Sequence, residues 1–472
     1  MWLPLALTLF PAILILPGTQ SLRLPLRMLS YGIAAAPAAW YGVSVLGRRA
    51  HPSAAWLAAT FALLSVMILH PTTNGLLVAM AQIGLYAAVA APLFWMPRVR
   101  TGPEDLSRSL LVFLGCVGVN SAVGVLQVYA PDTFMPAEFS RVVTESEFGL
   151  DGVSYEGPDG RRIIRPPGLF DSPGAVSGAG MVAGIFGLAA LMDGRSLRVR
   201  ATGALFALCG LAAILLTQVR TALAVLAGMV VVYFGVMLMR GRVRQVAWGA
   251  SLGGVAAAAG VAVAFTLGGT SVSGRFATLL DDDPASVFAN SSRGGFVRQA
   301  LTEQIFDYPV GAGLGRWGMM RRYFGNPYNF SSPPIWAETN LNGWILDGGV
   351  PLLLLNLTAL GALFAYLYRT ARRHPAAPIR QAATLVLAVC AGWSTMITSY
   401  TPFCSTLGIQ FWFLAGLICA AENSYRDATA KPAAPKPAAP KPAAPKPAAP
   451  KPAAPKPAAP KPAAPKPAAV RR

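Results

Sequence analysis

Seven arginines and four carboxylates stand where chemistry is possible: Arg165, Arg220, Arg293, Arg298, Arg316, Arg321 and Arg322, with Glu303, Asp307, Glu338 and Asp347. They lie in or beside connectors between apolar runs. A guanidinium binds phosphate bidentately and keeps its charge. A carboxylate accepts a hydroxyl proton. The set suits a substrate that combines a diphosphate with a polar acceptor, the arginines neutralising charge on a leaving diphosphate and a carboxylate serving as base. Each arginine alone is most simply a solvated or ion-paired residue; the grouping is the signal. These connectors hold no histidine: His51 and His374 fall on the other side, and His70 closes an apolar run. No Ser/His/Asp set, His-Glu-x-x-His or Walker motif accompanies them.

The elements that must position these residues are apolar. The chain has 472 residues, 54% hydrophobic and 12% charged, with mean hydropathy +0.49. A soluble domain carries about 25% charged residues. The composition predicts an all-α polytopic membrane protein with about twelve transmembrane helices. They fall near residues 2–17, 29–46, 53–70, 75–95, 108–129, 174–192, 199–217, 221–239, 246–267, 343–367, 380–399 and 403–421. The first has no basic flank or cleavage motif and is expected to be retained. Residues 1–427 form the membrane domain, and 428–472 a disordered, cytoplasmic tail.

Arginines at 48–49, 98–108, 195–200, 240–244 and 369–380 mark alternate connectors, and the connectors at 71–74 and 401–402 carry no charge. By the positive-inside rule both termini are cytoplasmic, and the long loops 130–173 and 268–342 share the extracytoplasmic face. Arg23 and Arg27 in the first connector are the exception.

Of the net charge of +19, the eight lysines and two arginines of Lys431–Arg472 supply more than half, leaving +9 for the first 430 residues. That remainder is mostly short-loop arginine, so nucleic-acid binding is a poor reading of the basicity. The tail repeats Lys-Pro-Ala-Ala-Pro seven times. Proline at this density favours extended polyproline II and cannot build a core. It reads as a solvated spacer, with attraction to anionic lipid as the alternative. The five cysteines are unevenly spaced beside apolar runs and suggest neither disulfides nor a metal site.

The first long loop ends Arg161-Arg-Ile-Ile-Arg-Pro-Pro-Gly-Leu-Phe-Asp171. Arg220 occupies a tight apolar turn, costly unless it is paired, faces a wet cavity or snorkels to the interface. The second loop opens on Gly-Gly-Thr and Ser-Gly turns, and its middle is expected to be helical from Ser291-Ser-Arg293 through Arg298 and Glu303 to Phe306. Asp281-Asp-Asp-Pro284 reads as solvated carboxylates rather than a metal site, and Gly311-x-Gly-x-Gly315 as turn glycines rather than a nucleotide fingerprint. No cofactor or metal is expected.

Four stretches together resemble the bacterial O-antigen ligase and O-antigen polymerase group, which are membrane glycosyltransferases. Arg165-Pro-Pro-Gly-Leu-Phe is similar to that family's Arg-x-x-Gly-x-Phe before a span, and Thr217-Gln-Val-Arg-Thr-Ala222 to its Thr-x-Ser-Arg-x-Ala. Arg293 through Pro309-Val-Gly-Ala-Gly-Leu-Gly315 resembles its Arg, helix, Pro-x-x-Gly-x-Gly pattern. Glu338-Thr-Asn-Leu-Asn-Gly-Trp-Ile-Leu-Asp-Gly-Gly349 resembles its loop-to-span signature. The resemblance implies a bacterial inner-membrane enzyme of cell-surface polysaccharide (O-antigen or exopolysaccharide) biosynthesis, acting beside other polysaccharide-assembly proteins. It implies metal-independent, inverting transfer of glycan from undecaprenyl diphosphate to a glycan or glycolipid acceptor on the periplasmic face. Carried over by position, Arg220 and Arg293 bind the diphosphate, with Arg165, Arg298 and Arg316 as further donor-binding candidates. At position 338 ligases of the family typically have histidine; glutamate there bears on ligation to lipid A–core and fits polymerases, or ligase-like enzymes for other glycans. Glu338 is then the base or acceptor-orienting group, or else simply an arginine's partner. A flippase for lipid-linked glycan and a non-catalytic scaffold are the rival readings.

Overall fold

A computed structural model describes residues 2–139, 141–144, 149–194, 196–281, 286 and 289–430. The repeat tail from Lys431 and the acidic residues Asp282 and Asp283 lie outside the described residues. The chain divides into two units, Met1–Asp427 and Ala428–Arg472; residues 428–430 of the second are helical.

The first unit is built from helices: α1 (Trp2–Ile13), α2 (Arg23–Ala35), α3 (Pro37–Tyr41), α4 (Ala54–Val66), α5 (Leu76–Trp95), α6 (Pro103–Tyr129), α7 (Val176–Asp193), α8 (Leu197–Leu216), α9 (Arg220–Met239) and α10 (Val243–Asp281). After these come α11 (Ser292–Gln299), α12 (Gly318–Phe324), α13 (Asn340–Arg373), α14 (Ala377–Thr395) and α15 (Thr406–Ala430). Among the described residues, eight helices are long and apolar enough to cross a membrane: α5 to α10, α13 and α14. A bilayer offers no partner for backbone N–H and C=O groups, so apolar runs of this length satisfy them internally as helix. The protein is thus a multi-pass helical membrane protein.

Small residues let these helices approach closely. A Cβ added at Gly187 of α7 would lie 2.4 Å from the carbonyl of Gly203 on α8, and one at Gly180 2.7 Å from that of Gly210. Serine and threonine start several elements: Ser196 Oγ accepts from Val199 N–H at 3.3 Å, Ser291 Oγ from Gly294 N–H at 3.1 Å and Thr339 Oγ1 from Asn342 N–H at 3.3 Å.

Three local expectations are corrected. Gly268-Gly269 does not open a loop: the chain breaks at Gly269 (φ 62°) and stays helical to Asp281. The expected span at 343–367 begins at Asn340, runs to Arg373 and breaks at Gly348–Gly349. The first long loop carries a two-stranded antiparallel hairpin, β1 (Ser154–Glu156) with β2 (Arg162–Ile164), where only helices and turns are expected.

The bundle has two chemically distinct ends. At one, arginines pair with scarce acids and polar caps: Arg49 with Asp427 at 2.9 Å and Arg242 with Asp193 at 3.1 Å, while Asn423 donates to the carbonyls of Arg49 and Pro97 at 2.9 and 3.1 Å. At the other, the 71–74 connector is sewn to the second long loop. Thr72 Oγ1 donates to Ala312 O at 2.7 Å, Asn74 N–H to Leu314 O at 2.9 Å and Asn74 Nδ2 to Ser332 Oγ at 2.8 Å. Asn340 joins the 400–403 turn to the same end, its N–H reaching Tyr400 O at 2.9 Å and its Oδ1 accepting from Phe403 N–H at 2.8 Å.

The break in α13 is closed by the glycine-rich segment. Val350 N–H donates to Pro309 O at 2.9 Å, and Ala312 N–H to Leu346 O at 2.7 Å. Gly349 has φ +65°, and a Cβ on it would lie 2.2 Å from Pro309 O. Gly349→Ala is expected to destabilise by at least about 1–2 kcal/mol, the left-handed penalty alone. Gly361→Ala, in the same helix with open space around it, should be neutral or stabilising by roughly 0.5–1 kcal/mol. Thermal unfolding of both variants in one detergent checks the contrast.

Candidate functional site

The Arg165 loop is fixed by α6. Gln127 accepts from Gly168 N–H at 2.8 Å and donates to Gly168 O at 2.8 Å, while Asn120 Oδ1 accepts from Leu169 N–H at 2.7 Å. Gly168 has φ +67°, and a Cβ there would sit 2.1 Å from Asn120 Oδ1. The motif's glycine therefore permits this docking, and the docking presents Arg165, Phe170 and Asp171 on one side.

They present it to a cavity of about 800 Å³. Arg165, Arg293 and Glu338 all line it, so the structure brings these three expected site residues together. Arg27 and Asp171 complete its charged lining, and Leu7, Leu85, Val117, Met181 and Val225 supply an apolar portion. The lining comes from matching ends of neighbouring helices. Pro11 of α1, Asn120 of α6 and Met396 after α14 stand at or near C-terminal ends; Arg27 of α2, Gln82 of α5 and Ala222 of α9 stand near N-terminal ends.

The other expected site residues lie elsewhere. Arg220, half-buried at the start of α9, stands between the cavity-lining Val219 and Thr221 without lining the cavity itself. Its turn is strained: Gln218 has φ +56°, the one non-glycine at positive φ among the described residues. Arg298 is exposed on α11. Arg316 is buried, its Nε donating to Pro333 O and its Nη1 to Ala312 O, both at 3.1 Å. Those bonds hold the backbone of the second long loop. Glu303 and Asp307 are exposed. His70 stands near Arg316, held by Thr72 Oγ1 at 3.0 Å, and burial followed by the Arg316 charge lowers its pKa.

Glu338 is half-buried and accepts from Trp336 Nε1 at 3.2 Å. It makes no ion pair with an arginine among the described residues. The side chain of Arg293, next to the Ser291 cap, has no hydrogen bond or ion pair among the described residues. Asn342 holds its helix in place, donating to Phe296 O at 3.1 Å and to Gln304 Oε1 at 2.8 Å.

Two residues the sequence reading placed outside the site and one it placed among the candidate carboxylates help build the wall. Arg23 and Arg27 reach Asp171 at 2.7 and 3.1 Å. Their signal was present as the exception to charge alternation. The third is Asp347, fully buried, which accepts from Tyr86 Oη at 2.8 Å, Gln82 Nε2 at 3.0 Å and Trp317 Nε1 at 2.9 Å. Gln82 and Trp317 both line the cavity, so this carboxylate sets part of its wall.

No group of three or more His, Cys, Asp or Glu with metal-binding placement occurs among the described residues, and all five cysteines are free. No protein-family model matches the chain, and no curated protein matches it.

Removing the Asp347 carboxylate strands three buried donors, each costing about 1–3 kcal/mol. Asp347→Ala is expected to lower the unfolding midpoint strongly, while Asp347→Asn, which keeps one carbonyl acceptor, should lose less. Tryptophan fluorescence of the Trp317 environment and thermal unfolding measure both.

Proposed function

We propose that this protein is a metal-independent, inverting membrane glycosyltransferase of the O-antigen ligase/polymerase type. It transfers glycan from undecaprenyl diphosphate to an acceptor sugar hydroxyl in cell-surface polysaccharide biosynthesis. The observation that carries the reading is one cavity with two characters: three arginines and two carboxylates beside long apolar helix faces. A lipid-linked diphosphate has the same division, with charge at one end and hydrocarbon at the other.

In this reading Arg165 and Arg293 hold the diphosphate, and Arg220 adds positive potential from the adjoining turn. Glu338 accepts the proton of the acceptor hydroxyl as that oxygen attacks the anomeric carbon. The bond to the diphosphate oxygen breaks on the opposite face, and the arginines neutralise the departing charge. Twelve spans follow if Trp2–Ile13, Arg23–Tyr41, Ala54–Leu69 and Thr406–Ala430 join the eight long helices. The site then faces the periplasm, both termini lie in the cytoplasm, and the membrane is the bacterial inner membrane. Glutamate at 338, where ligases typically have histidine, leaves the acceptor open between a growing glycan and a separate glycolipid.

Transport of a lipid-linked glycan is the second reading, favoured by the broken helix α13 and the buried Asp347 beside its break. One reconstitution separates the two. The purified full chain in lipid vesicles, given undecaprenyl-diphosphate glycan and a chelator, is expected to form longer or transferred glycan. Glu338→Gln should lower kcat roughly 10²–10⁴-fold and keep donor binding; Arg293→Ala and Arg220→Ala should weaken or abolish transfer. Donor moved between leaflets with no new glycosidic bond would reject the enzyme.

A further inference from the structure

Asp171 sits between two guanidiniums. Arg27 Nη2 donates to its Oδ1 at 3.1 Å, and Arg23 Nη2 lies 2.7 Å from its Oδ2. Asp171 is 3% exposed and Arg23 7%. The Arg23 contact lacks hydrogen-bond alignment, and among the described residues neither Asp171 Oδ2 nor Nε and Nη2 of Arg23 has a hydrogen-bond partner. One carboxylate against two arginines leaves a surplus cation in a largely dry place, a state that costs free energy unless a further anion arrives.

The two arginines differ in access. The Arg23 side chain is 9% exposed, while that of Arg27 is 29% exposed and lines the cavity with Arg165 and Arg293. A pair built only to tie the first connector to the Arg165 loop needs one arginine. Two allow one to leave. With Arg27 engaged elsewhere, Arg23 still neutralises Asp171, so no buried carboxylate is stranded.

We propose that Arg27 is a ligand for the diphosphate of the lipid-linked donor and that Asp171 is its resting counter-ion, released when the diphosphate takes the guanidinium. This rests on the proposed function and adds to it a binding residue from the first connector. It also accounts for arginines on the side where the connectors 71–74 and 401–402 carry no charge: these two serve the site instead of setting orientation.

The test is a binding measurement on the full chain in lipid nanodiscs, with undecaprenyl diphosphate and undecaprenyl monophosphate as probes. Wild type should prefer the diphosphate. Arg27→Ala should weaken diphosphate binding roughly tenfold to a hundredfold and erase most of the preference, and Arg27→Lys should recover part of it. Asp171→Asn removes the competing anion, so the diphosphate should bind at least as tightly as to wild type. A folded Arg27→Ala with wild-type affinity overturns the inference and leaves the proposed function standing. Should Arg27→Ala fail to fold, Asp171→Asn decides, because weaker binding there means the cluster is only a staple. Wild type without any diphosphate preference overturns the inference and the reading beneath it.

Discussion

A membrane helix that stops bonding to itself must find other partners for its backbone, because lipid supplies none. α13 stops at Gly348–Gly349, and the cavity end of the protein is arranged around that break. The segment 309–312 fills it with an N–H and a carbonyl in the right places. Once there, the segment continues as Gly313 and Gly315, whose absent side chains let Thr72–Thr73 and Val78 come within van der Waals range. Immediately before the break stands Asp347, whose carboxylate gathers α5 and Trp317. The interruption thus fixes three neighbours at once: the 71–74 connector, the N-terminal half of α5 and the stretch leading into α12. Two of the cavity's lining residues, Gln82 and Trp317, are held through it.

How much of this was legible depends on which physical constraint dominates at each place. The long apolar helices were legible because lipid leaves the chain one solution, and composition alone declares that solvent. Gly268-Gly269 was not, since a glycine pair signals a turn in water and only a kink within a helix that carries on. Arg316 was read as a phosphate ligand from its type and place; burial adds what sequence could not, that its Nε and Nη1 donate to the carbonyls of Pro333 and Ala312. Asn120 and Gln82 lie within the apolar runs 108–129 and 75–95, where nothing in the sequence marks them as functional. One pins the Arg165 loop and the other the Asp347 carboxylate. Such pins join residues far apart in sequence, Asn120 to Leu169 and Gln82 to Asp347, and periodicity carries no trace of them.

Arginine is used at this end in several ways, and burial sorts them. Lysine concentrates its charge on one hydrated ammonium, whereas the guanidinium spreads five donors over a plane. That fork lets Arg316 bridge two carbonyls and Arg27 share a carboxylate with Arg23. Arg321 donates to Ser332 O at 3.2 Å and so also serves the loop. The arginines with backbone acceptors stiffen the second long loop, while Arg27 at the cavity stands against the carboxylate of Asp171.

Arg293 and Glu338 differ from that background in the same respect. Arg27 and Asp171, also in the lining, pair with each other. Glu338 has only a neutral indole N–H for company, from the exposed Trp336, and the side chain of Arg293 has no hydrogen bond or ion pair among the described residues. Opposite charges lining one cavity without pairing forgo the attraction that contact would give. Their helices explain how they are kept in place. Thr339 caps α13 directly after Glu338, Ser291 caps α11 two residues before Arg293, and Asn342 ties the two elements together. The backbone is thereby fixed at both positions by neutral bonds, and neither side chain is needed to hold it, as the proposed function requires of a base and a diphosphate ligand.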